Sequence, residues 1–169
     1  MSDEESFCEF VRARGAALSR LAYLLAGDRH HAEDLLQSAL NKAALRWGRI
    51  DADRREAYVR KVLYNGAVSS WRRLRVRPES LTASVPDRPR PSLIDNADQR
   101  LMLRAALSRL TERQRAFLVL RFYEDMTESQ VAAVLDVSVG TVKSQTRRAL
   151  ARLRVVAPEL GDLVVDGGR

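Results

Sequence analysis

Five basic side chains, Lys143, Arg147, Arg148, Arg152 and Arg154, lie between residues 138 and 154, with no acid among them. Advancing about 100° per residue, Val139, Val142, Thr146, Ala149, Leu150 and Leu153 share one apolar sector. Thr141, Ser144, Gln145, Arg148 and Arg152 take the opposite side, and Lys143, Arg147 and Arg154 form a shoulder. A helix that meets only water mixes its signs, because opposite charges at i,i+4 stabilise it and like charges repel. An acid-free face with hydroxyl, amide and guanidinium groups suits the phosphates and base edges of a nucleic-acid groove. A merely basic surface helix is the plainer reading. The capped helix and three-residue turn that precede this segment argue against it.

A second directional surface lies upstream. Val59, Leu63, Ala67, Ser70 and Leu74 fall together on one side of a predicted helix, with Arg54, Tyr58, Lys61, Asn65 and Arg72 opposite. Arg73, Arg75 and Arg77 extend the charge. Residues 46–77 hold ten basic residues and three acids, a local excess equal to the net charge of +7 of the whole chain. Aromatic and amide groups amid arginines are what an unstacked base uses for stacking and edge hydrogen bonds. The plainer reading makes Tyr58 and Asn65 ordinary half-exposed residues. Trp47 and Trp71 fit core or interface anchors better than base platforms.

Catalytic constellations are missing from the sequence. His30 and His31 are adjacent, hence about 100° apart on a helix, and cannot form an i,i+4 ligand pair. Neither phosphate-cradling glycine motif occurs. Glu33 and Asp34 form an acidic pair that reads as a solvated face or as a receiver for a basic protein partner. Cys8 is the single cysteine, which excludes an internal disulfide and a cysteine-rich zinc site. We therefore expect no enzyme, no cofactor and no metal.

The elements that must position these residues are helical. The chain has 169 residues, 46% hydrophobic and 30% charged, enough for one ordinary domain or two small ones. Only three of its 29 basic residues are lysines (Lys42, Lys61, Lys143), so arginine, the better bidentate partner for phosphate and guanine, dominates. No apolar run approaches the roughly 20 residues that span a bilayer, and the first residues lack a signal pattern, so a cytoplasmic protein without membrane insertion is expected. Pro78, Pro86, Pro89 and Pro91 cluster, and repeated proline blocks helix interiors. Residues 77–96 therefore read as a linker between residues 1–76 and 97–157, with a short tail over 158–169.

In the first half, Phe7, Phe10, Val11, Leu18, Leu21, Ala22 and Leu25 form one helical stripe, ended by Gly27. Asp28 caps a second helix, with Leu35, Leu36, Ala39, Leu40, Ala43 and Trp47 as its buried side and Gly48 as its end. Asp53 to Glu56 reads as a capping box opening the third. In the second half, Thr111 with Gln114 and Thr127 with Gln130 are capping boxes, and Ser138 is an N-cap. These predict helices near 98–109, 112–124, 128–135 and 139–155. The last two form a helix-turn-helix.

The order of these parts resembles a known family. Ala32–Gln37 (AEDLLQ) is similar to the core-binding helix of bacterial RNA polymerase sigma factors of the extracytoplasmic-function type. Ala57–Asn65 (AYVRKVLYN), with Trp71-Arg72-Arg73, resembles their helix for the −10 promoter element. Leu110–Arg115 (LTERQR) and Val139–Ser144 (VGTVKS) resemble their −35 domain. The wording of Ala22–Asp28 and Ser70–Arg73 is nearest the SigE-like subgroup of actinobacteria. The resemblance spans about 7–155 and implies an all-α protein of two small helical domains, sigma2-like and sigma4-like, joined by the proline-rich linker.

It further implies that Asp34, Leu35, Gln37 and Ser38 face the clamp helices of the largest catalytic subunit of core RNA polymerase. Arg54, Tyr58, Lys61, Asn65 and Arg72 would serve the −10 element, the loop near Ile50–Arg55 with Asn65 capturing an extruded base. Thr141, Lys143, Ser144, Arg147 and Arg148 would serve the −35 duplex. The flap of the other large subunit and an anti-sigma protein are further candidate partners. A stand-alone helix-turn-helix regulator is the alternative. The sequence departs from the family pattern at Ser38 (commonly Glu), Leu40 (commonly aromatic) and Gln145 (often Arg). Gly66 stands at a bulky apolar position, where it is expected to loosen its helix by about 1 kcal/mol relative to Ala.

Overall fold

The computed structural model describes residues 2–76 and 97–158, except for the side chains of 71–76 and 97–100, and it is helical with no strand among them. The predicted linker and the tail from Glu159 onward lie outside the described residues. The chain divides into two compact units, Met1–Pro78 and Glu79–Arg169.

In the first unit, α1 (Asp3–Ala26), α2 (Arg29–Ala44) and α3 (Arg55–Val76) pack on one another. A capping box opens α1: the Ser2 hydroxyl accepts from the Glu5 N–H, and the Glu5 carboxylate accepts from the Ser2 N–H. Gly27, at φ 85°, ends it in the left-handed conformation, and Asp28 caps α2 by accepting from the His31 N–H. Leu18, Leu21, Ala22 and Leu25 of α1 are buried, as are Ala39 and Ala43 of α2 and Val59 and Leu63 of α3. Phe7, Phe10 and Val11, from the predicted stripe, are half-buried.

Two predicted boundaries are corrected. The second helix stops at Ala44 rather than at Gly48, leaving Leu45 87% exposed. A 3-10 turn, Trp47–Arg49, follows and drives the Trp47 ring inward between Phe7 and Phe10. No capping box forms from Asp53 to Glu56, because Asp53 lies inside a second 3-10 turn, Ala52–Arg54, and α3 begins at Arg55. Glu56 instead bridges two arginines, meeting Arg14 Nε of α1 at 3.1 Å and Arg60 Nη2 at 3.0 Å.

Gly66 has a packing reason. A Cβ at this position would lie 2.5 Å from Leu35 Cδ1, so the missing side chain is what lets Leu35 lie across α3. Its helix-propensity cost is set against a close approach between two helices.

In the second unit, α7 (Val139–Val156) packs on α4 (Ala97–Ser108), α5 (Glu112–Leu118) and α6 (Glu128–Leu135). Both predicted Thr–Gln boxes form, at Thr111/Gln114 and Thr127/Gln130. Phe117, Val119, Leu120, Val131, Leu135 and Val142 are its largest fully buried side chains among the described residues. The predicted helix over 112–124 is not uniform: from Val119 to Tyr123 it widens into a π turn, with the Glu124 N–H donating to the Val119 carbonyl. The extra residue in that turn shifts the helix face and leaves Phe122 and Tyr123 half in solvent. Arg115 is buried and donates to the Leu107 and Leu110 carbonyls, tying the end of α4 to α5.

Candidate nucleic-acid interface

The helix-turn-helix is assembled by short-range bonds. Asp136, at φ 54° and ψ 55°, ends α6 in the left-handed conformation, which turns the chain within three residues. Ser138 then caps α7, its Oγ accepting from the Thr141 N–H at 3.1 Å and lying 2.9 Å from the Thr141 hydroxyl. Val142, Ala149 and Leu153 anchor α7 in the core, while Thr146 and Leu150 are half-buried. That anchoring turns Lys143, Ser144, Arg147, Arg148, Arg152 and Arg154 to solvent.

The five predicted −35 residues divide into two groups. Thr141 is half-buried and its hydroxyl is engaged by Ser138; the Ser144 hydroxyl donates to the Thr141 carbonyl. Lys143, Arg147 and Arg148 carry the open cationic surface. Lys143 Nζ sits 3.7 Å from Glu128 Oε2 of α6, a loose exposed pair. Arg147 and Arg148 have no acidic partner among the described residues, so the face is electrostatically uncompensated.

The predicted −10 residues lie on α3 and the turn before it. Arg54 is 82% exposed by its side chain, its Nε 4.0 Å from Asp51. Tyr58 is half-buried; Lys61 and Asn65 are exposed and follow it at helical spacing, so the three share one side of α3. Arg72 is on the same helix, with its side chain outside the described residues. The loop between α2 and α3 consists of the two 3-10 turns, held at its start by buried Trp47 and at its end by Arg55, whose guanidinium lies 4.5 Å from the Trp47 ring centre. Ser6 of α1, which bonds both Trp47 and Arg55, carries no sequence signal, because it belongs to no periodic stripe and no predicted cap.

On α2, Asp34, Gln37 and Ser38 are exposed along one strip. Asp34 lies 3.7 Å from His30, and Glu33 accepts from Arg29 at 2.8 Å. Leu35 is only half-exposed, because it leans over Gly66. Among the described residues no group of His, Cys, Asp and Glu could hold a metal ion, and no helix is long and apolar enough to cross a membrane. At the start of α1 the Ser2 backbone N–H, and then its hydroxyl, hold the Glu5 carboxyl below its ordinary value.

Comparison with known proteins agrees with this arrangement. Residues 106–155 match the family model for sigma-70, region 4. The RNA polymerase sigma-E factor of Streptomyces coelicolor is 39% identical over 155 residues, covering 91% of this chain and 87% of that protein. The extracytoplasmic-function sigma factor SigL of Mycobacterium tuberculosis is 30% identical, over 86% of this chain and 85% of its own length. Among solved structures, the sigma factor RpoE in complex with the anti-sigma factor NepR, from Bartonella quintana, aligns with a TM-score of 0.63 at 25% identity, covering 90% of this chain and 96% of that one. With relatives 39% and 30% identical over most of both chains, the chain belongs to the extracytoplasmic-function family of RNA polymerase sigma factors.

Proposed function

We propose that this sigma factor divides its task between its units. The first, residues 1–76, takes core RNA polymerase on α2 through Asp34, Leu35, Gln37 and Ser38, and the −10 element on the α2–α3 loop and α3. The second, residues 97–157, reads the −35 duplex with α7. The carrying observation is the exposed row of Lys143, Arg147 and Arg148 on a capped helix-turn-helix, with both arginines lacking acidic partners among the described residues. Arginine in a major groove can make paired bonds to guanine, and the flanking charges bind phosphate.

Promoter opening costs unpairing and unstacking, which capture of an exposed base and of the displaced strand offsets. Tyr58 and Asn65, with Arg54 and Lys61 beside them, supply stacking, edge bonding and charge for that capture. Joining the two readers by residues 77–96 raises the effective concentration of the second contact once the first is made. The subunits contacted are the clamp-bearing largest subunit and the flap-bearing one, and the protein itself carries out no catalysis.

Run-off transcription with purified core polymerase on genomic fragments tests this reading. Core plus this chain should initiate at discrete sites that core alone does not use. Arg148→Glu should lower initiation by about 10- to 100-fold, the range of one or two lost base or phosphate contacts, while core affinity is unchanged. No initiation from any fragment, or loss of core binding in Arg148→Glu, would overturn the assignment.

A further inference from the structure

The first turns of α1 touch the α2–α3 loop far away in sequence. Ser6 is buried, and its hydroxyl is fully used. It donates to the Asp3 carbonyl at 3.1 Å, accepts from Trp47 Nε1 at 2.8 Å, and accepts a longer bond from Arg55 Nη1 at 3.4 Å. A serine hydroxyl has one proton and two lone pairs, so all three are engaged. Trp47 opens the loop and Arg55 closes it, and one oxygen atom bonds both. The rings of Phe7 and Phe10, centred 4.9 and 5.0 Å from that of Trp47, fix the indole. Beside them, a Cβ on Gly48 would strike the Asp3 carboxylate, so the loop backbone runs directly over the first turn of α1.

The arrangement also holds a charge in place. Arg55 lies against the Trp47 ring, its Nε is buried without a bonded partner, and no carboxylate pairs with it among the described residues. Nothing in the local helix signals requires this, since α3 starts without a capping box.

We propose that Ser6 is a positioning residue for promoter melting: acting through Trp47 and Arg55, it fixes the 47–55 loop in its reading conformation before DNA arrives. This rests on the assignment of that loop to the −10 element. A loop already ordered in the free protein does not lose conformational freedom on capturing a base, and a loop held in one shape discriminates better among bases.

The test uses the full chain with core polymerase on a promoter found by run-off transcription, and on the same promoter with its −10 bases substituted. The readout is the ratio of initiation on the two templates, with core affinity measured alongside. Ser6→Ala should reduce that ratio about tenfold, the loss from one buried bond. Core affinity should stay within twofold, and Ser6→Thr, which keeps the hydroxyl, should restore the ratio. Arg54→Ala, in the loop itself, is the reference. If Arg54→Ala loses discrimination while Ser6→Ala keeps it, the brace is overturned and the loop assignment stands. If both keep it, the loop assignment falls and the brace with it. If Ser6→Ala weakens core binding and discrimination together and Ser6→Thr rescues neither, Ser6 merely maintains the fold and the proposal fails.

Discussion

The two units hold their reading surfaces by different means. In the second, each bond that sets the start of α5, α6 or α7 spans three residues: Thr111 with Gln114, Thr127 with Gln130, Ser138 with Thr141. In the first, the bonds that hold the α2–α3 loop join Ser6 to Trp47 and Ser6 to Arg55, and Arg14 of α1 reaches Glu56 at the start of α3. A locally capped helix keeps its position by propensity plus one packed face. A loop made of two 3-10 turns has only their short backbone bonds as internal support and takes the rest of its shape from whatever it is packed upon. Damage to the second unit should therefore be graded and local, and damage to the first concentrated at one distant cluster.

The largest effect is expected from Trp47→Ala. It removes a buried ring together with its contacts to Phe7, Phe10 and Arg55, and should destabilise the first unit by about 3–5 kcal/mol. Hydrogen exchange followed residue by residue should show that loss across α1, the loop and the start of α3, with the second unit unchanged. Equal loss in both units would erase the contrast. Ser138→Ala should cost about 1 kcal/mol, confined to the second unit, as for a lost N-cap. Amide protection in the first two turns of α7 would report it, and protection lost throughout α4–α7 would mean that the cap supports more than its own helix.

The smallest effect sharpens the contrast through pH. The α1 box uses Glu5, whereas both boxes of the second unit use glutamine. Because the folded-state value of Glu5 is lowered, its contribution is present above the ordinary glutamate value and fades as pH falls through the lowered one. Acidification should loosen the start of α1 while the Gln114 and Gln130 boxes do not titrate. Side-chain NMR titration of Glu5, with the Ser2 and Glu5 amide shifts, would reveal it; a midpoint at or above the usual glutamate range would contradict the bond.

Legibility followed the same division. The helices of the second unit could be read because Thr111, Thr127 and Ser138 announce their own helix starts and the apolar spacing fixes the buried face of α7. The π turn at Val119–Tyr123 escaped, since a helix one residue wider leaves the same apolar composition as a regular one. In the first unit Gly27 and Asp28 were equally plain. Trp47 could be assigned to the interior, but not its effect in ending α2 early, and the Asp53 box looked as convincing as those that form. Gly66 has the spacing of a helix defect, and its reason, the close approach of Leu35, lies in another helix.

Spacing within a few turns of one segment was enough for the helical class, the caps at Ser138 and the two Thr–Gln boxes, and the acid-free face of α7, while the family resemblance came from the order of such segments along the chain. Folding in three dimensions set the meeting of Ser6 with Trp47 and Arg55, the pairing of Glu56 with Arg14 and Arg60 in place of a cap, and the seat of Leu35 over Gly66. Apart from Arg60, one helical turn from Glu56, these partners are tens of residues apart, and a hydroxyl or a missing Cβ has no period. What selects them is the close packing of three helices, where most polar groups taken from water find a bond in whatever the fold brings beside them.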